Sequence, residues 1–96
     1  MIIVAHNGLL TVASPWWTQF RINPENKHEV LLQKIDTDGD VVASMTIAKF
    51  RSNKRAVELF NALRAAVKLE FTRFDIKKWE DEYSATESSN SSLKSP

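Results

Sequence analysis

The sequence predicts an α+β fold: about five antiparallel strands in a meander, then a C-terminal amphipathic helix packed on one sheet face, and a short second helix. Three observations predict it. Ala56, Leu59, Phe60, Leu63, Ala66 and Val67 recur at i, i+3, i+4, i+7, i+10 and i+11, one continuous helical stripe. Upstream of them, short apolar runs are punctuated by Asn7-Gly8, Ser14-Pro15, Asn23-Pro24 and Asp38-Gly39, the punctuation of strands and turns. Downstream, apolar residues give way to SATESSNSSLKSP, which cannot bury enough surface to offset the entropy of ordering it.

The strands follow in order. Residues 2–6 and 9–14 read as a hairpin about Asn7-Gly8, because both residues tolerate the positive φ of a tight two-residue turn. Pro15 interrupts the second strand, having no N–H for a ladder. Residues 16–22 read as a third strand, with Thr18, Phe20 and Ile22 on one side and Trp17, Gln19 and Arg21 on the other. Residues 28–35 form a fourth, with Val30 and Leu32 facing one way and Leu31 and Ile35 the other, so both faces look apolar. Residues 41–50 form a fifth. Its two faces, Val41/Ala43/Met45/Ile47 and Val42/Ser44/Thr46/Ala48/Phe50, compete for the core, and a bend near Lys49 is one resolution.

The helix starts at Ser52, whose hydroxyl suits an N-cap, and runs to about Leu69. Phe60 sits in its stripe, so Phe60→Asp is expected to unfold the domain by burying a charge. Residues 72–75 read as a break, with Asp75 as the cap of a short helix carrying Ile76, Trp79 and Tyr83. One domain therefore spans 1–83, followed by a disordered Ser-rich tail at 84–96.

Charge is unevenly placed. The net charge of +1 divides into −2 over residues 1–48, +6 over 49–78 and −3 over 79–96. There is no Cys, which removes disulfides, thiolate metal sites and Cys nucleophiles. No signal peptide and no apolar run of membrane-spanning length is read, so a cytoplasmic protein is expected.

Chemistry-bearing motifs are few. Asp36-x-Asp38-Gly39-Asp40 has a superficial likeness to a calcium loop, but Gly39 is fourth rather than sixth and Ile47 holds the twelfth position, so it reads as a hairpin turn. His6 and His28 lie in no ligand or triad spacing and read as surface residues. With two glycines, both at turns, no phosphate-binding loop can be built. No metal, cofactor or small-molecule substrate is expected, and the chain reads as a non-enzyme; an unusual site around His28 is the least favoured reading.

Two clusters remain. Trp16, Trp17 and Phe20, with Trp79, are candidate interaction residues, because two adjacent strand residues cannot both enter one core. Lys49, Arg51, Lys54 and Arg55 form a basic patch at the start of the helix, the end where positive charge is unfavourable unless an anion lies near. The residues Asn7-Gly8-Leu9, Ile47-Ala48-Lys49-Phe50, Ser52, Ala56, Leu59-Phe60 and Leu63, in this order, resemble short uncharacterised Gram-positive bacterial and phage proteins in which a β-meander precedes a capped helix. That resemblance covers roughly residues 1–70, implies an accessory role, and supplies no catalytic residues.

The sequence thus points to a small protein-interaction module, a phage or mobile-element accessory protein or a homodimer. The alternative is a nucleic-acid-binding accessory protein using the basic segment 49–78.

Overall fold

In the structure, a computed structural model that describes residues 1–82, the strands are β1 (Ile2–Val4), β2 (Leu10–Val12), β3 (Thr18–Ile22), β4 (Glu29–Ile35), β5 (Val41–Lys49) and β6 (Arg73–Asp75). Helix α1 (Asn53–Lys68) lies between β5 and β6, and α2 begins at residue 76 and continues through 82. The expected tail at 84–96 and Tyr83 lie outside the described residues.

The fold is α+β, but the five strands do not form one meander. They divide into two three-stranded sheets, β2-β1-β6 and β3-β4-β5. The meander holds only for the second sheet, which is antiparallel throughout. In the first, β1 pairs antiparallel with β2 and parallel with β6, a strand the sequence reading took for a break. The split follows from the segment 13–17. Ser14 accepts backbone bonds from Trp17 (3.2 Å) and Thr18 (2.9 Å), so the chain turns there rather than continuing as a strand.

Both glycine turns are longer than two residues. Ala5 N–H donates to Leu9 O and Gly8 N–H to Ala5 O, while Gly8 has φ +89°. At the second, Asp36 N–H donates to Asp40 O, Gly39 N–H donates to Asp36 O, and Gly39 has φ +85°. Each is a three-residue loop closed by a left-handed glycine.

The competition between the faces of β5 is settled by a bulge. Val30 opposes Ala48 and Leu31 opposes Thr46, so Ile47 is the extra residue. Met45 and Ala48 thereby come to the same inner face, and both Ile47 and Ala48 are buried. The outer face of β4 is not an apolar surface awaiting cover. Gln19 Nε2 donates to Gln33 Oε1 (2.8 Å) and Gln33 Nε2 to Ser44 Oγ (3.0 Å), a polar row across the three strands.

Helix α1 forms as expected. Ser52 Oγ accepts from Arg55 N–H, and Ala56, Leu59, Leu63 and Ala66 are buried. Phe60 and Val67, at the margin of the stripe, are only half-buried. The helix ends with Phe71 N–H donating to Ala66 O and Glu70 N–H to Val67 O, which places Glu70 in the left-handed region at φ 60°. One core joins both sheets and both helices: Ile3 from the first sheet with Ala5 just beyond β1, Val30, Leu32 and Ile47 from the second, Leu59 and Leu63 from α1, Ile76 from α2. Asp75 caps α2 as expected, accepting from Lys78 N–H at 3.1 Å.

Candidate functional site

Three surfaces carry the residues singled out by the sequence. The first is the loop between β2 and β3. Thr18 Oγ1 accepts from Ser14 N–H and donates to Ser14 O, both at 2.9 Å, and Ser14 Oγ accepts from Trp16 N–H. This reciprocal lock holds Pro15, Trp16 and Trp17 as a turn, not as the start of β3. The argument from alternating strand faces therefore does not apply to the pair. Both indoles lie outside the core, Trp16 with 78% and Trp17 with 55% of its surface exposed.

Trp17 borders a cleft of about 710 Å³ between β2 and the inner face of the second sheet. The remaining walls include Val12, Thr18, Leu32, Lys34, Ala43 and Met45. Helix α1 packs mainly on β3 and β4. The cleft is apolar apart from hydroxyls and the ammonium of Lys34, a composition that suits an apolar group with a negative end.

Phe20 and Trp79 belong elsewhere. Phe20 is half-buried against the core and lines a separate groove of about 350 Å³ with Phe60, Arg64 and Val67. Trp79 packs on the core and meets Phe50 edge-on, with centroids 6.4 Å apart. The four aromatic candidates thus occupy three places, and only the two adjacent tryptophans share a surface.

The second surface is a hollow of about 540 Å³ at the start of α1. It gathers Lys49, Arg51 and Arg55 around His6, Phe50, Ser52 and Glu80. Lys54, the fourth member of the expected basic patch, is exposed on α1 outside this hollow. His6 is not the plain surface residue that the sequence suggested. Its N–H donates to Ile47 O (2.7 Å), its Nδ1 accepts from Lys49 N–H (3.4 Å), and its Nε2 contacts the Glu80 carboxylate. The ring also lies 5.4 Å from that of Phe50. With Nδ1 accepting from the backbone, Nε2 is the ring nitrogen that faces the Glu80 carboxylate. Both ring nitrogens face protein groups, and Ser52 Oγ accepts as the helix cap. No spacing rule in the sequence links residues 6 and 80, which is why the pair was missed.

The third surface, also missed, is the outer face of the first sheet. Its register puts Val12, Ile2 and Arg73 in one row and Leu10, Val4 and Asp75 in the next. Leu10 is 67% and Val12 63% exposed. β1 is apolar on both faces, a signal of this surface that needed its strand partners to be read.

The Asp36–Asp40 loop brings the carboxylates of Asp36, Asp38 and Asp40 within 4.8 Å of one another, all exposed. Asp36 Oδ1 accepts from the N–H groups of Asp38 and Asp40, both at 2.9 Å, which is the work of a turn.

Among the described residues, no helix is long and apolar enough to cross a membrane. The chain matches no family model, no curated protein and no solved structure.

Proposed function

We propose that this protein is a small non-enzymatic interaction module that grips a partner protein through the Trp16–Trp17 loop and the cleft beside it. One observation carries the reading: two tryptophans stand outside the core on a loop that Ser14 and Thr18 lock in place. Tryptophan is the residue most enriched among binding hot spots, and a pre-formed loop spares the entropy of ordering it on contact. The partner is an apolar segment with a carboxylate, its apolar part against Val12, Leu32 and Met45 and its charge toward Lys34. A cytoplasmic setting is part of the proposal.

The test is comparative capture. The parent chain, Trp17→Ser and Leu69→Ser, an exposed apolar residue outside the cleft, are immobilised and their retained proteins quantified. A partner held by the parent and Leu69→Ser but released by Trp17→Ser supports the reading. A retained set unchanged by Trp17→Ser removes it.

A second reading is favoured by the basic hollow. Lys49, Arg51 and Arg55 converge there, as phosphate contacts would require. Nucleic-acid binding at that site would weaken steeply with salt, and Arg51→Ala would flatten the slope. Salt-insensitive binding, or none, counts against it.

A further inference from the structure

The outer face of the first sheet is apolar in a pattern that is complementary to itself. Its two rows, Val12–Ile2–Arg73 and Leu10–Val4–Asp75, each run from an aliphatic side chain on β2, through one on β1, to a charge on β6. The charges are opposite. A two-fold axis parallel to the sheet, crossing the strands at the level of Ile3, Thr11 and Phe74, lays the first row of one copy on the second row of the other. Val12 then meets Leu10, Ile2 meets Val4, and Arg73 meets Asp75, twice over.

We infer that a second copy of this chain occupies this face, giving a two-fold dimer with the two sheets packed face to face. The inference rests on the reading of the protein as an interaction module, but uses a surface that shares only Val12 with the tryptophan cleft. Sheets stacked this way keep their strands within about 30° of one another, which leaves the rows in register across so small a face. The alternative of joining β2 edges would extend the sheet yet leave Leu10, Val12 and Ile2 in water. Asp75 gives one oxygen to Lys78 N–H, and the other is available to a guanidinium. The arrangement pairs every charge on the face, which an unrelated flat partner would do only by having the same two signs at the same spacing.

The interface is small. Four aliphatic side chains per copy fall short of the roughly 800 Å² per partner of a standard interface, so the dimer forms at micromolar to tens of micromolar concentration.

Sedimentation equilibrium on the full chain from about 1 to 500 μM tests this, a range set by that affinity. The parent is expected to shift reversibly from monomer to dimer. Leu10→Lys puts a charge in the apolar layer, and Arg73→Asp sets like charges opposite each other. Both residues are exposed, so circular dichroism should show the fold intact. Each should weaken association at least tenfold, while Arg73→Lys retains it. Trp17→Ser should leave it unchanged. A parent that stays monomeric throughout overturns the inference and leaves the tryptophan reading standing. A dimer that survives Leu10→Lys, or that survives Arg73→Asp, overturns the proposed face or its register. A dimer lost in Trp17→Ser overturns it in favour of the cleft.

Discussion

The imidazole of His6 and the carboxylate of Glu80 meet where the end of β1, the bulged end of β5 and α2 come together. His6 therefore ties both sheets to the second helix. Removing it takes the imidazole away from the Glu80 carboxylate, whose Oε2 is buried, and leaves the Lys49 N–H without its acceptor. His6→Ala should cost about 1–3 kcal/mol. His28→Ala, at an exposed position, should change stability by no more than about 0.5 kcal/mol. Equal effects in urea denaturation would show that His6 is no node.

The position of Phe60 changes what its substitution should do. It is half-buried, with the Arg64 guanidinium 5.5 Å from the ring centroid, whereas Leu63 is fully buried. Phe60→Asp should leave a cooperatively folded protein that has lost roughly 1–3 kcal/mol, and its new carboxylate can pair with Arg64. Leu63→Asp places an uncompensated charge inside and should abolish the thermal transition. The opposite order of severity would mean that the helix is rotated from its described orientation.

Glu70 closes α1 in a left-handed conformation, where a Cβ costs about 1–2 kcal/mol. Glycine removes that strain at an entropic cost of about 0.5–1 kcal/mol. Glu70→Gly should therefore stabilise the domain by about 0.5–1 kcal/mol, raising Tm by a few degrees. A lower Tm would contradict the helix ending.

Gly8 and Gly39 are matched tests of the turns. A Cβ at either position meets nothing within 4 Å, so only the positive φ resists substitution. Gly8→Ala and Gly39→Ala should each cost about 1–2 kcal/mol, and the double variant should lose their sum because the turns lie at opposite ends of β5. Calorimetry showing neutral singles would mean that the loops can adopt another turn type.

Much of the local structure was legible in the sequence. The α1 stripe, the Ser52 and Asp75 caps, the faces of β3 and the turn at Asp36–Asp40 all follow from residues within a few positions of each other. What was not legible depends on distant partners. A short apolar run before Asn7-Gly8 shows that residues 2–4 are a strand, but not that Arg73–Asp75 lies beside them. Arg73-Phe74-Asp75 has only one apolar residue, too short a signal to separate a strand from a break. The candidate site divides the same way. The two tryptophans were visible as a surplus, while their placement depends on how Ser14 and Thr18 bond to one another. The ambiguity in β5 was visible too, although the sequence put the irregularity near Lys49 and the register shifts fall at Ile47 and at Val42.

The parallel pairing of β1 with β6 has a further consequence for the order in which the molecule assembles. The β1–β2 hairpin and the β3-β4-β5 meander close short loops, but Ile2 and Arg73 must find each other across roughly 70 residues of chain, which is entropically the most demanding closure in the fold. The first sheet is thus expected to be completed after the second sheet and α1 have docked. Contacts at Phe74 are made late, so weakening them should speed unfolding and leave the refolding rate almost unchanged. If the first sheet closes last, the face proposed for a second copy is complete only in a folded chain, and two nascent chains would have no finished surface through which to join.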